Sequence, residues 1–183
     1  CGEAYLARAI AYSELIKMFC KAYDSDEQAE QELGVVLTEH YKGNESQKRA
    51  SLKASYDFVL SDLDKAQELL KLDEDFSGSL YNEIYFNEYV CYALRARVSL
   101  YMHRYDDAIK YATKVIKSKY YTLEKASSNT YSNSVNDYAY IWQYGDSREC
   151  IWKVGFTVNS YGGALGTIFD KYDFVSYRPD YVP

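Results

Sequence analysis

The sequence predicts a mainly α fold built from antiparallel helix pairs packed side by side. Three observations predict it. Leu52, Tyr56, Val59, Leu63, Ala66 and Leu70 alternate spacings of four and three; only Arg104 and Tyr105 separate two further helical patterns; and the two Pro, Pro179 and Pro183, both fall within the last five residues. The first lays one apolar stripe along a helix, the second forces two helices into a hairpin, and the third leaves every earlier helix uninterrupted.

From Glu3 to Lys21, Tyr5, Ala9, Tyr12, Ile16 and Phe19 recur at helical spacing, with Glu3, Glu14, Lys17 and Lys21 on a polar stripe. Arg8 falls on the aromatic side, between Tyr5 and Tyr12. A charge is costly there unless it stacks on rings or meets a carboxylate, so we read it as a brace between helix pairs rather than a ligand-binding group. Asp24 to Asn44 is acidic and irregular around the apolar run Leu33 to Leu37, which predicts a long connection. Ser51 is the expected N-cap of the second helix, because its oxygen can accept from the free N–H groups of the first turn. Phe86, Tyr89, Ala93, Ala96 and Leu100 mark a third helix ending near His103. The fourth begins with Asp106 as N-cap and packs Ala108, Ile109, Ala112, Val115 and Ile116.

Ala96 and Ala108 let the two hairpin backbones approach, with Tyr92 and Tyr105 filling the space at either side. An aromatic, a small residue four later, then Tyr105, an acidic pair and Ala108-Ile109 is the helix-pair pattern of a tetratricopeptide repeat. Ser99 and Tyr120 stand where that repeat favours Tyr and Pro, so the array is divergent. After Lys119 the charge thins and Ser, Asn, Gly and Tyr accumulate. The expectation is a single domain over 1–183, with helical repeats over 1–118 and a loop-rich aromatic part over 119–183. That second part would carry a short helix at Asp137 to Tyr144 and one short strand at Cys150 to Thr157.

A chain of 183 residues with 48% apolar and 26% charged residues can bury a sizeable core. Its net charge of −6 argues against a nucleic-acid partner, since phosphate neutralisation needs a basic face. The longest uncharged stretch, Val154 to Phe169, carries Asn159, Ser160 and four Gly and falls short of a bilayer span. Cys1, Cys20, Cys91 and Cys150 show no metal-knot spacing, and neither His40 nor His103 has a ligand or catalytic partner at a meaningful interval. No nucleophile elbow, zincin helix or phosphate loop occurs. Asp24, Asp26 and Glu30 lack the turn Gly and closing Glu of a calcium loop, and Gly162 to Gly166 reads as a turn rather than a dinucleotide fingerprint. No cofactor or metal is therefore expected. Cys1-Gly2 looks like the mature end of a bacterial lipoprotein, but a helix starts directly behind it. The signal and tether are expected upstream, in a longer protein.

Tyr occurs 22 times. Tyr138, Tyr140, Trp142, Tyr144, Tyr161 and Tyr172 gather in the loop-rich part beside Asn, Ser and Asp. Such rings are either core with hydroxyls at the rim or a platform for sugars, whose apolar faces stack on aromatic rings while polar side chains bond their hydroxyls.

Several segments, in order, resemble the SusD/RagB family of outer-membrane nutrient-binding lipoproteins. They are Gly2 to Ala9, Leu33-Gly34-Val35-Val36-Leu37, Arg49-Ala50-Ser51-Leu52 with Ser61-Asp62-Leu63, Ala93 to Met102, Tyr105 to Ala108, Val115 to Leu123, and Glu149-Cys150-Ile151-Trp152. The resemblance implies the front-to-middle part of a larger, non-enzymatic protein. It would be lipid-anchored on the cell surface at the outer membrane, where it captures oligosaccharides, or peptides in some branches, for a SusC-like TonB-dependent transporter. The alternative is an intracellular tetratricopeptide scaffold that binds protein tails.

Overall fold

The computed structural model describes residues 1–40, 43, 46–72, 84–144 and 147–155. The chain separates into two units, Cys1–Trp152 and Lys153–Pro183, and all six helices of the described residues belong to the first. They are α1 (Gly2–Phe19), α2 (Asp26–Gln31), α3 (Leu52–Leu69), α4 (Glu88–Tyr101), α5 (Tyr105–Ser118) and α6 (Asp137–Tyr144). The mainly α, tetratricopeptide-like arrangement is as the periodicity predicts.

α1 and α3 run antiparallel. Gly2 lies against Leu69 and Leu70, Arg8 against Asp62, and Tyr12 edge-on to Phe58. α4 repeats the direction of α1: Arg97 bonds Glu14 at 3.0 Å, and the Lys17 ammonium sits 5.7 Å from the Tyr101 ring centroid. α5 then folds back on α4, so two helix pairs stack in register. The core between them is formed by Leu6, Ile16, Leu52, Val59, Leu63 and Val98, each at most 2% exposed. Burying each such side chain contributes about 1.5–3 kcal/mol relative to leaving it in water.

α3 matches its predicted stripe, with Leu52, Tyr56, Val59, Leu63 and Ala66 buried, and the Ser51 side chain accepts from Ala54 N at 3.1 Å. The other helices depart from expectation for physical reasons. Phe19 is 66% exposed. The Arg8–Asp62 and Tyr12–Phe58 pairings bring it level with Ser51, where α3 has not yet begun. α4 buries Val90, Cys91, Leu94 and Val98, not the Tyr89, Ala93, Leu100 stripe, and Leu100 is 54% exposed. It is capped by Asn87, whose side chain accepts from Tyr89 N and Val90 N.

Asp106 does not cap α5. Arg104 holds that position without a side-chain bond, and Asp106 and Asp107 lie in the first turn, where carboxylates favour the positive end of the helix dipole. Of the expected packing set only Val115 is buried, whereas Ile109 and Ile116 are 65% and 73% exposed and Tyr105 is 57% exposed. Among the described elements α5 packs on α4 alone, and one neighbour covers only one side of a helix.

The long connection contains α2, capped by Ser25 and seated through Ala29. Beyond it, Leu33 and Ser51 form an isolated antiparallel bridge flanked by Gly34 N to Ala50 O at 2.8 Å and Ala50 N to Val35 O at 2.9 Å. The Arg49 guanidinium clamps this crossing, donating to Gly34 O at 2.6 Å, Phe19 O at 3.1 Å and Leu33 O at 3.2 Å. Gly34 is obligatory at this crossing, because a Cβ would fall 2.0 Å from Ser55 Oγ and 2.3 Å from Ser51 O. Ser55 Oγ accepts from Val35 N at 3.0 Å and donates to Ser51 O at 2.9 Å.

No strand forms over the described part of the expected Cys150 to Thr157 segment, residues 150–155. Its alternating side chains have no neighbouring strand to pair with among the described residues. Ile151 and Trp152 instead turn onto the helical core, and Trp152 stacks on Phe86 at 5.1 Å.

Candidate functional site

The loop-rich part after α5 is tied together by carboxylates and turns. Glu124 accepts from Arg148 N at 2.9 Å and from the Tyr131 hydroxyl at 2.7 Å, and Glu149 accepts from Glu124 N at 2.9 Å. Asp137, 3% exposed at the start of α6, accepts from Thr130 N at 2.6 Å and Thr130 Oγ1 at 2.8 Å. The Asn136 side chain accepts from Ala139 N at 2.8 Å. A helix of eight residues has little stability alone. These bonds, together with the stacking of Tyr140 on Tyr131 at 5.0 Å, hold it in place.

Fixed in this way, α6 presents Tyr138 and Trp142 outward, 49% and 76% exposed. They stand four residues apart on one helical face, ring centroids 6.4 Å apart and planes at 70°. Exposed Asn133 and Ser134 precede them. Of the six rings singled out in the sequence, the structure therefore brings Tyr138 and Trp142 together at the surface and turns Tyr140 inward. The side chain of Tyr144, and Tyr161 and Tyr172 altogether, lie outside the described residues.

A second aromatic group escaped the sequence reading, which assigned Tyr89 to the core and Tyr92 to the repeat pattern. Tyr89 packs against Tyr92, Tyr120 and Tyr121 at 5.9, 5.3 and 6.0 Å, and Tyr92 stacks on Tyr111 at 6.0 Å. Tyr89 and Tyr92 border an open groove of about 530 Å³ along α4 and α5, with Thr113 and Lys114 on its other side. The signal was available: Tyr89 and Tyr92 on one helix, with Tyr111 and Tyr120 returning on the other arm of the predicted hairpin. These faces are already engaged, however, since the Lys114 ammonium lies 4.3 Å from the Tyr92 centroid and the Arg95 guanidinium 4.8 Å from that of Tyr111. Burial, reinforced for Tyr92 by its bond to Glu88, raises the phenol pKa of Tyr92 and Tyr89, so both stay neutral at physiological pH. The groove is a polar-aromatic surface, but α6 offers the freer rings.

Arg8, on the aromatic face of α1, holds Asp62 through Nε and Nη2 at 2.7 and 2.8 Å and lies 4.8 Å from the Phe58 centroid. It is a brace, but between the two arms of the α1/α3 pair rather than between pairs as expected. His40 and His103 are both exposed, and Cys1, Cys20 and Cys91 are free thiols. Among the described residues no three His, Cys, Asp or Glu side chains gather as a metal site, and no helix is long and apolar enough to cross a membrane.

A SusD-like family model, described as starch-binding and associating with the outer membrane, matches residues 1–100. No curated protein matches the chain. Among solved structures, a SusD-like carbohydrate binding protein from Bacteroides vulgatus superposes with a TM-score of 0.68 at 18% identity, over 92% of this chain and 32% of that one. A SusD-like protein from Bacteroides fragilis is 30% identical, with a TM-score of 0.58 over 85% of this chain and 27% of its own. A SusD superfamily protein from Bacteroides thetaiotaomicron is 24% identical, with a TM-score of 0.66 over 87% and 31%. The chain thus spans about a third of the length of the solved structures it matches.

Proposed function

The chain belongs to the SusD-like family of starch-binding, outer-membrane-associated proteins, and from that premise we propose that it is the helical front part of a cell-surface protein that captures oligosaccharides. In this reading it binds without catalysis and passes its ligand to a SusC-like TonB-dependent transporter, while a lipid anchor upstream of the chain holds it to the outer membrane.

The observation that carries the proposal is the α6 face. Trp142 and Tyr138 project into solvent from a helix whose other side is clamped by Asp137, Asn136 and Tyr140. Exposing two large rings side by side is unfavourable unless something covers them in use. A pyranose suits them, because its C–H face lies on the indole while its hydroxyls reach adjacent polar groups. Tyr144, Tyr161 and Tyr172 are kept as ligand-binding candidates from the sequence alone.

The test is a panel of soluble oligosaccharides and peptides titrated calorimetrically into the full-length protein. Saturable binding of an oligosaccharide supports the proposal, and binding of peptides alone replaces the ligand class. The surface assignment is tested by the upstream reading frame, where a signal peptide ending in a lipobox Cys is expected. Its absence would favour an intracellular scaffold.

A further inference from the structure

A cleft of about 430 Å³ opens between the C-terminal turns of α1 and α4, remote in sequence from the α6 rings. This lies within the range of small-ligand sites, roughly 300–1,000 Å³. Its wall is formed by Ile16, Tyr56, Leu100 and Tyr101. Leu100 and Tyr101 are 54% and 47% exposed, so this wall offers apolar surface that nothing in the described chain covers.

Tyr56 brings a hydroxyl to this lining. Tyr56 is only 5% exposed, and its ring is fixed edge-on against Tyr23 at 5.2 Å. Tyr23 satisfies its own hydroxyl by donating to Asp26 at 2.6 Å. The Tyr56 hydroxyl has no hydrogen-bond partner among the described residues, and its side chain lines the cleft. The hydroxyl is therefore free to donate to an occupant of the cleft, exchanging a bond to water for one to the ligand. Burial raises its pKa to about 12, which keeps the proton available to donate.

The ionisable rim is basic. Lys17, Lys21 and His103 line the cleft, and among the described residues no carboxylate does. Lys21 is matched by Glu32 at 2.7 Å, but Lys17 must share Glu14 with Arg97, at 2.6 and 3.0 Å. Two cations on one carboxylate leave positive charge beside the opening. An apolar wall, an unpartnered hydroxyl and a surplus cation together describe one kind of ligand. We propose that this cleft is a second binding site that accepts a single carboxylate-bearing sugar ring, a uronic acid residue. Its C–H face would lie on Leu100 and Tyr101, a hydroxyl would bond Tyr56, and the carboxylate would face Lys17. The assignment to sugars rests on the nutrient-capture reading, whereas the preference for a carboxylate rests on the cleft alone.

Galacturonate and galactose differ at C6 and test this directly when each is titrated into the full-length protein by ligand-observed NMR. Galacturonate is expected to bind at least about tenfold more tightly, one added charge-assisted hydrogen bond amounting to roughly 1.5–3 kcal/mol. Tyr56→Phe is expected to weaken galacturonate about three- to tenfold, and Lys17→Met to abolish the preference over galactose. Leu100→Trp, a change at an exposed wall position, is expected to block the cleft without unfolding the protein and so guards against a folding defect in Tyr56→Phe. Equal affinity for the two sugars, or galacturonate binding indifferent to Tyr56→Phe and Leu100→Trp, overturns the proposal. Galacturonate binding lost in Trp142→Ala but untouched by the cleft variants would leave the α6 reading standing and remove this one. Tyr56-dependent galacturonate binding without any response to Trp142→Ala would do the reverse.

Discussion

Asp62 is 1% exposed and ionisable, and its two oxygens are occupied by Arg8. Removing one partner of a buried pair leaves an uncompensated charge, so Arg8→Ala is expected to cost about 3–5 kcal/mol. A lysine lacks the fork that grips both oxygens, and Arg8→Lys is expected to recover only part of the loss. Chemical denaturation midpoints measure both; a wild-type midpoint for Arg8→Ala would contradict the brace. The need for a partner was legible from Arg8 lying between Tyr5 and Tyr12, but its identity was not, because Asp62 is 54 positions away and looks like a solvated helix residue. Gly34 gave a motif without a reason until the crossing segment was visible. Gly34→Ala is expected to cost at least about 1–3 kcal/mol, since its Cβ would collide with backbone as well as Ser55. Two further groups set a pH limit. Burial raises the Cys91 thiol and the Tyr56 phenol each to about 12, from ordinary values of 9.0 and 10.0. The folded state holds these protons more tightly than the unfolded one, so their contribution is complete below about pH 9 and fades as pH climbs towards 12. Thermal melts across that window should show falling Tm, and Cys91 should resist thiol reagents that label exposed Cys1; prompt labelling of Cys91 in the native protein would contradict its burial.

How legible each helix was depended on how its neighbours are arranged around it. α3 carries one continuous buried stripe along most of its length, and its periodicity and Ser51 cap located it directly. α4 is pressed from two sides, with Val90, Leu94 and Val98 on one and Tyr92 and Ser99 on the other. A single apolar phase does not describe such a helix, which is why Tyr89, Ala93 and Leu100 misled. α5 has the opposite difficulty: its pattern is strongly amphipathic, yet only the side facing α4 is covered, and Ile109 and Ile116 stay in solvent. The two sides of α5 should therefore respond differently to substitution. Ile116→Glu is expected to change stability by less than about 0.5 kcal/mol. Ala108→Trp or Ala96→Trp, forcing bulk between the hairpin arms, is expected to cost about 1–3 kcal/mol or more. Melting curves showing the reverse order would mean that the two arms pack through other faces. The failed strand follows the same logic, because alternation in 150–155 had no partner to make it a sheet, and Trp152 found Phe86 instead.

At the scale of the molecule, the stacked pairs serve as a frame. The α1/α3 and α4/α5 hairpins carry the core, and the carboxylate-knotted loops hold α6 with Tyr138 and Trp142 facing out. The aromatic crowding of this part was visible in the amino-acid order, but which rings stay exposed was decided by contacts with Thr130, Tyr131 and Glu124 that no local spacing reveals. Calorimetric titration of an oligosaccharide that binds the wild-type protein into Trp142→Ala tests the capture role most directly. Loss of the stacking ring is expected to weaken binding by roughly five- to tenfold, matching about 1–1.5 kcal/mol, while Tm moves by no more than about 1 °C, since the indole is 76% exposed. Undiminished affinity in Trp142→Ala, or a collapse of Tm, would show that this ring is not where the ligand rests.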